Sequence, residues 1–191
     1  MDPPLDGTPS AFALAVRNGD FELGNMLLEA GADVNWSYMA PDFPRGTTVL
    51  GELVARQNEA ALAGVKYLLS KPGVSGKVTG DGRCVLSVAA KARVSQGWVA
   101  EMIMTELLKS PEVSGKERGE AVEVAARESA VEVLRLLLEV GEKATQELLA
   151  VAEGVVEEFT GKGPAGEDGR DWRMRGSRAQ IVVRILRSNI V

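Results

Sequence analysis

The chain has 191 residues, 45% of them hydrophobic and 26% charged, with a net charge of -5. That length suits one domain with a real core, or an array of roughly four to six small repeats, and the apolar content excludes a disordered chain. With no histidine and a single cysteine, Cys84, the sequence lacks the commonest general base and zinc ligand and excludes an internal disulfide.

Aromatic residues are only 5% of the chain, while Ala, Leu, Val and Glu dominate, a balance that predicts an all-α fold. Residues 1–7 read as a tail, and residues 8–191 as one domain. The start, MDPPLDGTPS, lacks a basic stretch followed by an apolar core, and no window approaches 18 consecutive apolar residues. An intracellular protein, of cytoplasm or nucleus, with no membrane association is therefore expected.

In chain order, Phe12 to Arg17 (FALAVR) predicts a short helix rich in small residues, and Gly19 to Asn35 (GDFELGNMLLEAGADVN) a longer amphipathic one. In the second, Leu23, Met26, Leu27 and Ala30 fall at helical spacing and are expected to bury one stripe. A connection follows that carries Trp36, Tyr38, Met39, Pro41, Phe43 and Pro44. Val49 to Arg56 (VLGELVAR) and Val85 to Ala92 (VLSVAAKA) repeat the short helix, each followed by a longer one that exits at LLSKPGVSGK (from Leu68) and LLKSPEVSGK (from Leu107). Those two exits match at seven of ten positions with an offset of 39 residues. Ala121 to Arg127 (AVEVAAR) is a fourth short helix, and Ser129 to Gly141 (SAVEVLRLLLEVG) aligns with the first long helix so that Leu27 and Leu28 fall on Leu137 and Leu138. Its stripe is Val133, Leu136, Leu137 and Val140. A fifth, weaker copy places helices over Thr145 to Val156 and Ala179 to Arg187, separated by a Gly-rich, charged loop, residues 161–178, that holds Trp172 among Arg170, Arg173, Arg175 and Arg178.

A short helix, a turn, a longer amphipathic helix and a Gly- or Pro-marked exit cannot bury its apolar faces alone, so copies are expected to stack as a solenoid. GDFELGNMLLEAGADVN with the preceding LAVRN resembles the second half of an ankyrin repeat almost throughout. Gly46, Thr48 and Leu50, then Gly82 and Leu86, stand where that family has its Gly-x-Thr-Pro-Leu-His opening, with proline and histidine missing from each. The resemblance covers roughly residues 8–160. It implies an ankyrin-repeat solenoid of about five helix pairs, degenerate in sequence, with β-turn fingers. It further implies a role in holding another macromolecule on the concave surface formed by fingers and short helices.

Against that family pattern the connection from Asn35 to Thr48 is long, and two readings of it are open. Trp36, Tyr38, Met39 and Phe43 form an exposed anchor for a partner, since such residues contribute about 2 kcal/mol or more each at interfaces. Alternatively, Trp36 and Phe43 fold back to cap the short helices. The short helices end in Arg17, Arg56, Lys91 and Arg127, and the fingers add Arg45, Lys77 and Arg83, giving a basic face on an acidic protein. The acids Glu22, Glu29, Glu101, Glu106, Glu132 and Glu139 fall on the longer helices. An acidic partner segment is the expectation, the plain alternative being solubilising charge at exposed positions.

Catalytic and metal chemistry finds no support. The two VSGK segments lack the Gly-x4-Gly-Lys-Ser/Thr spacing of a phosphate loop. Glu167, Asp168 and Asp171 lack the alternation and terminal glutamate of a calcium loop. Cys84 is expected to serve packing. The sequence thus predicts a monomeric, non-enzymatic protein-binding module without cofactor or metal. Trp36, Tyr38, Met39, Phe43, Arg17, Arg56, Arg83, Lys91 and Arg127 are its candidate contact residues. Nucleic-acid binding through the basic face and the 161–178 loop is the alternative.

Overall fold

The computed structural model describes residues 8–40, 43–76, 84–91, 97–110, 115–160 and 169–190. The chain is 72% helix, with ten helices and one two-stranded sheet among the described residues. It divides into two compact units, Met1–Ser114 and Gly115–Val191.

Among the described residues the first unit holds three helix pairs and a hairpin. Helix α1 (Ala11–Arg17) begins where the Ser10 hydroxyl accepts the Ala13 amide at 3.1 Å, and it buries Phe12, Ala13, Ala15 and Val16. Helix α2 (Phe21–Glu29) is capped by Asp20, α3 (Val49–Arg56) by Thr48 and α4 (Glu59–Leu69) by Asn58, each side chain accepting an amide of the first turn. Such caps satisfy donors that the helix cannot satisfy itself and fix where each helix starts. Helices α5 (Val85–Lys91) and α6 (Gly97–Lys109) form the third pair. Within the unit, α1 packs on α2, α3 on α4 and α5 on α6, while α1 also meets α3, α3 meets α5 and α4 meets α6. The core between them is Phe12, Val16, Leu53, Leu68, Leu86, Ile103, Met104 and Leu107, all 2% exposed or less. Gly64 on α4 lets the pair close up, because a β-carbon there would lie 2.7 Å from a methyl of Leu53.

The second unit contains α7 (Gly115–Arg127), α8 (Val131–Glu139), α9 (Gln146–Thr160) and α10 (Gly169–Asn189). Helix α7 packs on α8 and α9, and α10 on α8 and α9, around Ala121, Ala125, Leu134, Leu137, Ala152, Val182 and Leu186. Gly176 gives α10 its close approach to Phe159.

The sequence match between the first and fourth pairs extends to the backbone bonds. Asp20 N–H bonds the Ala15 carbonyl and Ala32 N–H the Leu27 carbonyl, both at 2.9 Å. The matching residues repeat this, Ala130 to Ala125 at 2.9 Å and Glu142 to Leu137 at 3.2 Å. These six-to-one bonds close a helix around a left-handed residue. Gly19 and Gly31 supply it in the first pair (φ +77 and +88), Ser129 and Gly141 in the fourth (φ +55 and +97).

Three expectations are corrected. The stripe of α2 is not a buried one: Leu23 is 42% and Met26 66% exposed, Ala30 is exposed, and only Gly24 is buried. Helix α2 instead meets α4 edge-on through Tyr67, whose ring stacks on Phe21 at 4.6 Å and covers Gly24. Residues 169–178 are not loop but the first half of α10, an arginine-bearing stretch largely open to solvent from Arg173 to Arg178. Residues 161–168, and with them Glu167 and Asp168, lie outside the described residues. In the fourth pair the short helix expected from Ala121 starts at Gly115 instead, so Lys116 of the second VSGK is an exposed helical residue beside Glu120, 3.9 Å away. Lys77 of the first copy lies outside the described residues.

Candidate functional site

The finger is a β-hairpin of β1 (Ser37–Ala40) and β2 (Phe43–Thr48), antiparallel, with Ser37 opposite Thr48, Tyr38 opposite Thr47 and Ala40 opposite Phe43. The register shifts between Tyr38 and Ala40, opposite the stretch of β2 that holds Gly46 at φ +93, a conformation glycine adopts without steric cost. Strand alternation then sends neighbouring side chains to opposite faces. Tyr38 is 3% exposed and Met39 59%.

Of the four residues expected in an exposed anchor, Met39 alone is exposed, at 59%. Tyr38 and Phe43 are buried, Phe43 at 8% exposure, and Trp36 is half-buried, so the hairpin lies folded back by its own aromatic side chains. The indole nitrogen of Trp36 is enclosed with no hydrogen-bond partner among the described residues. Asn35 ties the start of the finger to the next exit loop: its amide donates to the Gly73 carbonyl at 2.7 Å and accepts from the Ser75 amide at 2.8 Å.

The buried face of the hairpin meets a carboxylate. Glu52, on α3 and 7% exposed, accepts the hydroxyl of Tyr38 on one oxygen. Its other oxygen takes Nη2 of Arg56, one turn further along α3, and lies 3.5 Å from Nε of Arg17 at the end of α1. A buried carboxylate is tolerable only when paired and hydrogen-bonded, and here Tyr38 and Arg56 donate to it while Arg17 adds an ion pair. Burial, followed by the hydrogen bond and the charge of Glu52, pushes the Tyr38 hydroxyl far above the ordinary phenol range, against a smaller opposing pull from Arg17 and Arg56. Tyr38 therefore stays a donor at neutral and moderately alkaline pH.

This carboxylate is the centre that sequence reasoning missed. Its signal was present in VLGELVAR, an acid inside an apolar run with an arginine four residues on, the spacing of a helical ion pair. Beside it lies a cavity of about 290 Å³ between α1, α3 and the hairpin, with Arg17, Arg56, Tyr38 and Glu52 in its lining and Met39 and Phe43 among its apolar walls. Arg17 and Arg56 are partly exposed, with 27% and 39% of their side chains accessible.

Lys91 ends α5 and is exposed. The left-handed residue Gln57, directly after Arg56, donates through its side-chain amide to the Ala89 carbonyl at 3.2 Å, which holds the end of α3 to the end of α5. Arg17, Arg56 and Lys91 thus stand on the final turns of three successively packed helices of the first unit. Arg127 occupies the last turn of α7 in the second unit, where it pairs with Glu123 at 2.7 Å. Arg45 keeps its place in the hairpin, but its side chain, like Arg83 and the side chain of Trp172, lies outside the described ones. Cys84 is 2% exposed and its sulfur lies 3.1 Å from the Ser87 hydroxyl at the start of α5, a packing position. Among the described residues no group of three acidic, Cys or His side chains could hold a metal ion, and no helix is long and apolar enough to cross a membrane.

No protein-family model matches the chain, and no curated protein matches it.

Proposed function

We propose that the chain is a protein-binding module, a degenerate ankyrin-type helical array, that recognises an acidic segment of a partner protein. What carries the reading is the gathering of Arg17, Arg56 and Lys91 at the final turns of α1, α3 and α5, joined by the Glu52 ion pairs and the Gln57 to Ala89 bond. The recurrence of the same turn bonds in the first and fourth pairs supports a repeated unit. The succession of α1 on α3 on α5 supports stacking within the first unit. Arg127, on the last turn of α7 in the second unit, and Arg83 join the contact set from the sequence. The acidic glutamates of α2, α6 and α8 stand on the other member of each pair.

The hairpin contributes differently from an aromatic anchor. Tyr38 and Phe43 hold it in place from inside, and Met39 is the large side chain exposed on it among the described ones. Complementary charge speeds encounter and rejects wrong partners, and among exposed groups it is screened by salt. The test is affinity capture at low salt from the native source with the wild-type chain and with an Arg17→Gln, Arg56→Gln, Lys91→Gln variant of unchanged circular dichroism. A captured protein that carries an acidic segment, elutes with salt and is lost in the variant is the expected result. Capture that is indifferent to the variant, or recovery of nucleic acid instead, refutes the reading.

A further inference from the structure

We propose that the cavity between Arg17, Arg56 and the hairpin is a carboxylate pocket, the anchor point for one acidic group of the partner peptide. This rests on the acidic-partner reading above and gives it a position.

The charge balance of the cavity lining points to the ligand. Two guanidinium groups, Arg17 and Arg56, face one carboxylate, Glu52, so one positive charge is left over among the described lining residues. Glu52 itself is fully engaged: one oxygen accepts from Tyr38 and the other faces both arginines. It acts as an internal counter-ion that holds the Arg56 guanidinium by a hydrogen bond and keeps that of Arg17 close by charge before a ligand arrives. Fixed donors lose less rotamer freedom on binding than free ones.

The arginines have donors to spare. A guanidinium carries five N–H groups, of which Arg56 gives Glu52 one hydrogen bond, through Nη2, while Arg17 approaches it through Nε at 3.5 Å as an ion pair. Among the described residues the terminal nitrogens of Arg17 and Nη1 of Arg56 meet no other acceptor. The volume of about 290 Å³ and the apolar walls from Met39 and Phe43 suit a carboxylate on a short aliphatic stem. Its methylenes lie against the hairpin while its oxygens reach the two forks. A phosphate dianion fits less well, because the surplus is a single charge and Glu52 stays close enough to repel a second negative charge.

Carboxylate could come from a Glu or Asp side chain or from a chain end, and the experiment separates them. The probes are tetraglutamate capped at both ends, a neutral tetrapeptide with a free C-terminus, and inorganic phosphate. Each is titrated into the full chain while the arginine Nε–H resonances are followed by NMR, with Lys109→Gln on the outer helix α6 as the charge-matched control. Capped tetraglutamate should shift the Arg17 and Arg56 signals. Arg56→Gln should weaken its binding about tenfold, the loss that goes with one charge-assisted hydrogen bond, with Lys109→Gln unchanged. A response to the free C-terminus alone assigns the pocket to chain ends and still supports a carboxylate site. If tetraglutamate binds but leaves Arg17 and Arg56 unshifted, the pocket is refuted while the acidic-partner reading stands. If no acidic probe binds anywhere, both fall. Phosphate binding as tightly as carboxylate overturns the preference argued from charge.

Discussion

Replacing Tyr38 by Phe removes one hydroxyl and leaves the ring, so it isolates the bond that pins the hairpin to α3. The hydroxyl donates to Glu52, a carboxylate with 7% exposure, and without it one carboxylate oxygen loses its donor while Arg17 and Arg56 hold the other. A hydrogen bond to a charged group in such surroundings contributes about 1.5–3 kcal/mol, so Tyr38→Phe should destabilise the first unit by that amount at neutral pH. The effect carries a pH signature. The folded chain raises the Tyr38 pKa, so above about pH 10, where an unfolded tyrosine ionises, the unfolded state binds fewer protons and wild-type stability falls. The difference between wild type and Tyr38→Phe should therefore be constant below that pH and shrink above it by about 1.4 kcal/mol per pH unit. Urea unfolding read by tryptophan fluorescence in a Trp172→Phe background follows Trp36 and Trp98, both in the first unit. A difference that stays flat through the alkaline range, or a variant as stable as wild type, would refute the buried Tyr38–Glu52 pair.

Glycine substitutions divide by their surroundings. Gly64→Ala drives a β-carbon into Leu53 in the core and should cost about 1–2 kcal/mol net of helix propensity, whereas Gly154→Ala on the open face of α9 should stabilise by about 0.5–1 kcal/mol. Urea midpoints of the two variants moving the same way would contradict this. Asn35→Ala cuts both bonds to the loop at Gly73 and Ser75 and should cost about 1–2 kcal/mol, read as faster hydrogen exchange at the Ser75 amide. Cys84, 2% exposed, should resist a thiol reagent in the native chain and react on unfolding; immediate reaction would contradict its burial.

Much of the helical order could be read from the residues, because small-residue helices such as FALAVR and glycine-marked exits such as Gly31 and Gly141 each have a local cause. What was misread depended on neighbours. The period of Leu23, Met26 and Leu27 announces an amphipathic helix but not which side has something to pack against, and Tyr67, far along the chain, decides that for α2. Gly and charge in residues 161–178 suggested a loop, yet residues 169–178 belong to α10, where arginine is a good helix former and Gly176 lets the helix lie close to Phe159, a neighbour that local composition does not show. The basic residues at the helix ends were legible as a pattern, their grouping less so. Only folding brings Arg17 to Glu52, and only the hairpin's register buries Tyr38 while leaving Met39 outside.

The central claim is recognition of negative charge by Arg17, Arg56 and Lys91, and the direct measurement is affinity for a capped acidic peptide against its Gln-substituted counterpart, from about 0.05 to about 0.5 M salt. Binding of the acidic peptide alone, weakening steadily with salt and lost in the Arg17→Gln, Arg56→Gln, Lys91→Gln variant, is the predicted result. Equal affinity for both peptides, or affinity that does not change with salt, would contradict it.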